Sequence, residues 1–236
     1  MTFLELAQKL RQECEIPGTG PAAVTGQTGQ LKRLVDWIND AWEDIQNRHD
    51  NWLWMRRPFT FNTVLDDDTY AYGDVTDVDA GAAITRFGRW LVQDRCDPYL
   101  CYLQSGGIGG QYRLIYQPWA DFRHLYKFGN QTTLNGVPQF ISVDPKLQIV
   151  LGPKPNGVYV VTGDFQRSMQ TMTADEDLPE MPAQFHKLNV YWAMQKYGAN
   201  SVASEIYARA TQEANRMMRA LEANQLPDMP LAGPMA

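Results

Sequence analysis

Asp66, Asp67 and Asp68 stand in a row, with Asp74, Asp77 and Asp79 close behind. Carboxylates at this density are the ligands a hard divalent cation takes, and a cation so held can activate water for hydrolysis. The spacing does not complete a calcium loop. Tyr70 stands where a third ligand is needed, and no glutamate closes the loop. The same stretch reads as a solvated hairpin loop. Cys96 and Cys101 have no Cys or His pair to complete a tetrahedral zinc site, and His49, His124 and His186 stand apart from one another. No Gly-x-Ser-x-Gly elbow is present, and no serine or cysteine lies in a recognisable setting with His and Asp. Residues 17–29 are rich in Gly and Thr but lack phosphate-loop spacing and a preceding strand. Ser105 to Gly110 is glycine-rich with no helix behind it to bind an anion. Arg56 with Arg57, and Arg86 with Arg89, could touch phosphate but equally suit ordinary surface.

Composition narrows the classes further. At 236 residues, 44% hydrophobic and 20% charged, the chain can bury a core unaided, which excludes wholesale disorder. A net charge of −6 argues against a general nucleic-acid binder, which needs Lys and Arg to displace counterions. It does not exclude a protein that surrounds DNA. Three cysteines make no disulfide framework and suit a reducing compartment. No apolar run reaches membrane-spanning length, and the first residues lack a signal-peptide pattern. The expected place of work is the cytoplasm, or something assembled there.

The elements that must position these residues show in the periodicity. Phe3, Leu6, Ala7, Leu10 and Cys14 predict a helix over 2–15, opened by a Thr2/Glu5 capping box. Leu31, Leu34, Val35, Ile38, Trp42, Ile45, His49 and Trp52 trace one face of a second helix over 29–53, with His49 read as a packed histidine. From Pro58 to about Arg167 the period falls to two, which predicts antiparallel strands. The clearest are at Phe59–Val64, Tyr99–Leu103, Pro138–Asp144, Lys146–Leu151 and Val158–Phe165. A short helix falls inside this block, from Trp119 to Phe128, with Trp119, Phe122, Leu125 and Tyr126 on one face. Helices return over 182–198, stopped by Gly198, and over 202–223. The fold class expected is therefore α+β: terminal helices forming a bundle, a central antiparallel β module and an extended C-terminal tail. The domain boundaries expected are 1–57 with 178–224 for the bundle, 58–177 for the β-rich module and 225–236 for the tail.

Particular strings carry a resemblance. Gly29, Leu31, Leu34, Val35, Trp37, Ile38, Ala41, Trp42, Asp44, Ile45, His49 and Trp52 form the first. Pro138, Phe140, Asp144 and Leu147 follow, then Leu151, Pro153 and Pro155. The end adds Leu178, Met181, Pro182, Phe185 and His186, then Tyr197 with Gly198. Last come Met217, Leu221, Glu222, Gln225, Leu226 and Pro227. Taken together and in order, these resemble the head-to-tail adaptor (connector, head-completion) proteins of tailed double-stranded DNA bacteriophages.

The resemblance implies a non-enzymatic structural protein of the virion neck, assembled in the host cytoplasm. It implies a homododecameric ring beneath the portal protein that extends the DNA channel and carries the tail or nozzle proteins. Packaged DNA would pass through without specific binding, and no cofactor or metal is called for. It further implies that the C-terminal segment grips the portal. That segment keeps Leu226, Pro227, Asp228, Met229, Pro230, Leu231 and Met235. Its prolines bar both helix and sheet centre, while its apolar side chains suit a groove on a partner. Two other readings stay open: a metal-dependent hydrolase built on the acidic loop, and another virion part such as a tail terminator or a carbohydrate-binding module.

Overall fold

The structure is a computed structural model, and it describes residues 1–91, 99–128 and 132–226. Five α-helices run through these residues: α1 (Phe3–Glu13), α2 (Gly29–Asn47), α3 (Trp119–Tyr126), α4 (Lys187–Asn200) and α5 (Ser204–Gln225). The sheets are largely antiparallel, so the chain is a mixed α and β protein. It divides into two compact units, residues 1–55 with 169–236, and residues 56–168.

In the first unit α1, α2, α4 and α5 share one hydrophobic core. The Thr2 hydroxyl accepts from Glu5 N, and the Glu5 carboxylate accepts from Thr2 N, so α1 opens on the capping box its sequence spells. Leu34, Val35, Ile38, Trp42 and Ile45 of α2 are all buried. The apolar period continues to Trp52, but the helix ends at Asn47. There the Trp52 indole N–H donates to the carbonyls of Ile45 and Gln46, both at 3.2 Å. The ring thus stays buried while its polar edge brings a donor to the carbonyls of the last turn of the helix.

Proline 182 opens a 3₁₀ turn, Ala183–Phe185, and α4 begins only at Lys187. Gly198 does not stop α4, which runs on to Asn200. Its role is close approach: a Cβ there would lie 2.9 Å from Tyr207 Cβ and 3.0 Å from Tyr207 N. Residues 169–181 also pack in this unit. Gln46 accepts from Gln170 N and donates to Gln170 O, and the Asn39 amide bonds both N–H and C=O of Met172.

The second unit is built around the strand Tyr159–Gln166, paired antiparallel with Arg56–Asn62 on one side and Leu100–Leu103 on the other. Phe59, Phe61, Tyr99, Cys101, Val161 and Phe165 fill its core. Gly163 lets Tyr99 lie against the strand, since a Cβ would sit 2.9 Å from that ring. A second sheet pairs Phe140–Val143 antiparallel with Ile149–Gly152. Two short pairings are parallel rather than antiparallel: Ile115–Tyr116 with Phe140–Ile141, and Lys154–Pro155 with Asn135–Gly136. The residues between 116 and 140 hold α3, which gives the first pairing the crossover length that parallel strands need. Of the four residues expected on one face of α3, only Phe122 is buried, and Leu125 is exposed. Phe122 and Tyr126 cover Gly152 instead, where a Cβ would meet both rings within 3 Å.

Candidate functional site

The acidic stretch is dispersed, its carboxylates taking separate partners. Asp67 accepts from Thr69 N and Asp74 from Ala71 N, both closing turns. Asp77 accepts from the N–H groups of Asp79 and Ala80, while Asp79 pairs with Arg57 at 2.6 Å. Asp66 accepts from the Asn135 side-chain amide. Asp68 corrects the reading of a wholly solvated loop. It is buried, and the Lys127 ammonium donates to both its oxygens at 2.9 and 2.8 Å. The Thr69 hydroxyl donates to it as well. The reason is tertiary: α3 delivers a cation 59 residues away in sequence. Among the described residues, no three His, Cys, Asp or Glu side chains are grouped to hold a metal ion.

The thiols are equally committed to packing. Cys14 and Cys101 are free and buried. Burial pushes the Cys14 thiol up to about 12 and the Cys101 thiol up to about 11, far from the thiolate a nucleophile needs. Cys96 lies outside the described residues. The loop 17–29 packs as a connection between α1 and α2: Pro21 and Val24 are buried, and Val24 N donates to Asp175.

Two histidines have structural partners. His49 is half-buried; its Nε2 lies 2.9 Å from Glu222, and its ring stands edge-on to Trp52. Arg48 bonds the same carboxylate at 3.1 Å. Burial pulls Glu222 upward, but these two hydrogen bonds prevail and hold its carboxyl below the ordinary range. His186 is buried, with Nε2 at 3.0 Å from the Met181 carbonyl and Nδ1 at 2.7 Å from the Met1 amine. A carbonyl only accepts, so Nε2 carries the proton and Nδ1 accepts. Burial, opposed by the Met181 hydrogen bond, lowers the imidazole below its ordinary range. Sequence spacing pointed to neither arrangement, because Glu222 and the Met1 amine are distant in the chain from the histidines they meet.

Of the residues read as portal-binding, only Leu226 is described. It caps α5, donating its N–H to Glu222 O, and it packs half-buried against the helical core. Pro227, Asp228, Met229, Pro230, Leu231 and Met235 lie outside the described residues.

Comparison with known proteins gives the chain a class: it is a phage structural adaptor. The family model described as SU10 adaptor protein matches residues 1–234, and the chain belongs to that family. The match spans every string that carries the resemblance to phage head-to-tail adaptors, from Gly29 to Pro227. No curated protein matches the chain.

Proposed function

We propose that this protein forms a ring between the portal and the tail of a tailed phage, extending the DNA channel and carrying the tail. The family match over residues 1–234 is the observation that supports the reading. Twelve copies would surround the channel, helices bundled around it, and the net charge of −6 would let DNA pass without sticking. The role asks for no catalysis: the ring acts by holding its neighbours. The C-terminal segment from Leu226 through Met235 is the portal grip. Its prolines limit the entropy lost on docking, and Leu226, Met229, Leu231 and Met235 supply apolar contact.

The test is the mass of the purified protein alone and mixed with portal rings, for full-length chain and for chain truncated after Asn224. The truncated protein is expected to keep a near-normal melting temperature and to bind portals much more weakly. Virions lacking the segment should leak DNA or fail to attach tails. Full-length affinity after truncation would move the contact to the helices.

A further inference from the structure

The tripeptide Asn-Gly-Val occurs twice, at 135–137 and at 156–158. An asparagine followed by glycine is the dipeptide in which a backbone nitrogen most readily reaches the preceding side-chain amide, because glycine has no Cβ to obstruct the approach. Local sequence thus gives both sites the same chemistry, and both asparagines are exposed to water. The fold sets them apart, although they lie side by side. Lys154–Pro155 pairs in parallel with Asn135–Gly136, and Asn156 N donates to Gly136 O.

At the first site the nucleophile is held. Pro155 has no N–H, so the register fixes the ladder: Lys154 N donates to Leu134 O, and Gly136 N donates to Lys154 O. The Asn135 amide nitrogen donates to the Asp66 carboxylate, which pushes electron density onto the amide rather than drawing it from the carbonyl. At the second site both conditions are reversed. Gly157 N–H has no acceptor among the described residues. The Tyr159 hydroxyl donates to Asn156 Oδ1 at 2.7 Å, and that oxygen is where negative charge develops when the amide carbon is attacked. The Tyr159 ring is buried, and burial, reinforced by the Cys101 thiol, holds its phenol above the ordinary range, so it stays a donor.

We infer that Asn156 is a site of self-modification, deamidating through a succinimide while Asn135 is protected. Gly157 N attacks Asn156 Cγ and gives its proton to solvent. The bond from Cγ to the side-chain nitrogen breaks, and ammonia leaves. Water then opens the ring at either carbonyl, giving aspartate or isoaspartate; nothing is oxidised or reduced. In the isoaspartate product the main chain gains a methylene between residue 156 and Gly157. Gly157 O accepts from the Thr63 hydroxyl at 3.0 Å, and that hydroxyl accepts from Tyr159 N at 2.8 Å. The added length therefore falls where the strand Tyr159–Gln166 is tied to the chain leaving Arg56–Asn62. Either product also adds a negative charge to a loop bonded to Asp66, whose N–H donates to Pro155 O. The modification thus loosens this end of the β unit as the protein ages.

The test ages the folded full-length protein in mildly alkaline buffer and maps its peptides by mass spectrometry. It reads the amide-to-acid mass gain at each site, with isoaspartate scored by enzymatic methylation. Asn156 should convert at least about fivefold faster than Asn135, the rate equivalent of one neutral hydrogen bond. In urea the two rates should converge, because the ladder and the phenol are then gone. Tyr159→Phe keeps the buried ring and should slow Asn156 by about fivefold in the folded protein, leaving the urea rates unchanged. Equal rates in the folded wild type, or faster conversion of Asn135, would overturn the inference, and that comparison needs no variant to fold. So would a folded Tyr159→Phe protein that converts at the wild-type rate. A difference that persists in urea would overturn it too, since local sequence rather than the fold would then be the cause.

Discussion

Single residues here are decided by what tertiary neighbours bring to them, and Asp68 shows this most directly. Asp66 and Asp67 just before it are exposed, yet it is buried against Lys127. Lys127→Met should cost about 1–2 kcal/mol, below the usual range for breaking a buried pair, because the lysine is 30% exposed and water can partly take its place. Asp66→Asn and Asp67→Asn should each stay within about 0.5 kcal/mol, as surface changes do. Urea unfolding of the three variants checks the contrast; equal costs would show that Lys127 leaves Asp68 unsupported. His186 predicts a pH dependence. Its folded pKa lies below the unfolded value, so unfolded chains take up the proton first as pH falls. The stabilisation is complete above the unfolded value near pH 6.5 and is lost as pH drops through the lowered folded value. Stability should therefore fall below about pH 6.5 in wild type, and His186→Gln should flatten that part of the curve. An unchanged pH slope in the variant would place the sensitivity elsewhere.

Among the elements, the α4–α5 hairpin carries the sharpest constraint. Gly198 sits where α4 meets Tyr207 of α5, and a side chain there would press on backbone as well as on Tyr207 Cβ. Ala in a helix ordinarily gains about 1 kcal/mol over Gly. Here the clash should reverse the sign, with Gly198→Ala costing about 1–3 kcal/mol by overpacking. Gly109→Ala, which meets nothing within 4 Å, is the control and should lower the melting temperature little. A Gly198→Ala protein as stable as wild type would show that the two helices can separate at no cost. In α2, Trp42 is fully buried, and Trp42→Ala should cost about 3–5 kcal/mol in the same denaturation assay. A loss below 1 kcal/mol would mean that the stripe repacks around the gap.

At the scale of the whole molecule, the chain leaves the helical unit at Met55, builds a complete β unit, and returns at Met169. Each unit has its own hydrophobic cluster. Residues 56–168 expressed alone should therefore unfold cooperatively, whereas residues 1–55 alone should not, because α1 and α2 pack against α4, which that fragment lacks. Calorimetry of the two fragments checks this, and a non-cooperative 56–168 fragment would refute it. What could be read beforehand was local. The capping box of α1 and the apolar stripe of α2 need only neighbours three or four positions away, and the alternation of Phe59 and Phe61 needs only the pleat of one strand. The pairing of Arg56–Asn62 with Tyr159–Gln166 joins segments about a hundred residues apart. No period along one strand names its partner, so the three-dimensional arrangement alone decided it. The same holds for Lys127 on Asp68, for the end of α2 at Asn47, and for the ladder that holds Gly136 N–H. Each of these depends on register between distant segments, and register is chosen by packing of the whole rather than by any stretch of sequence.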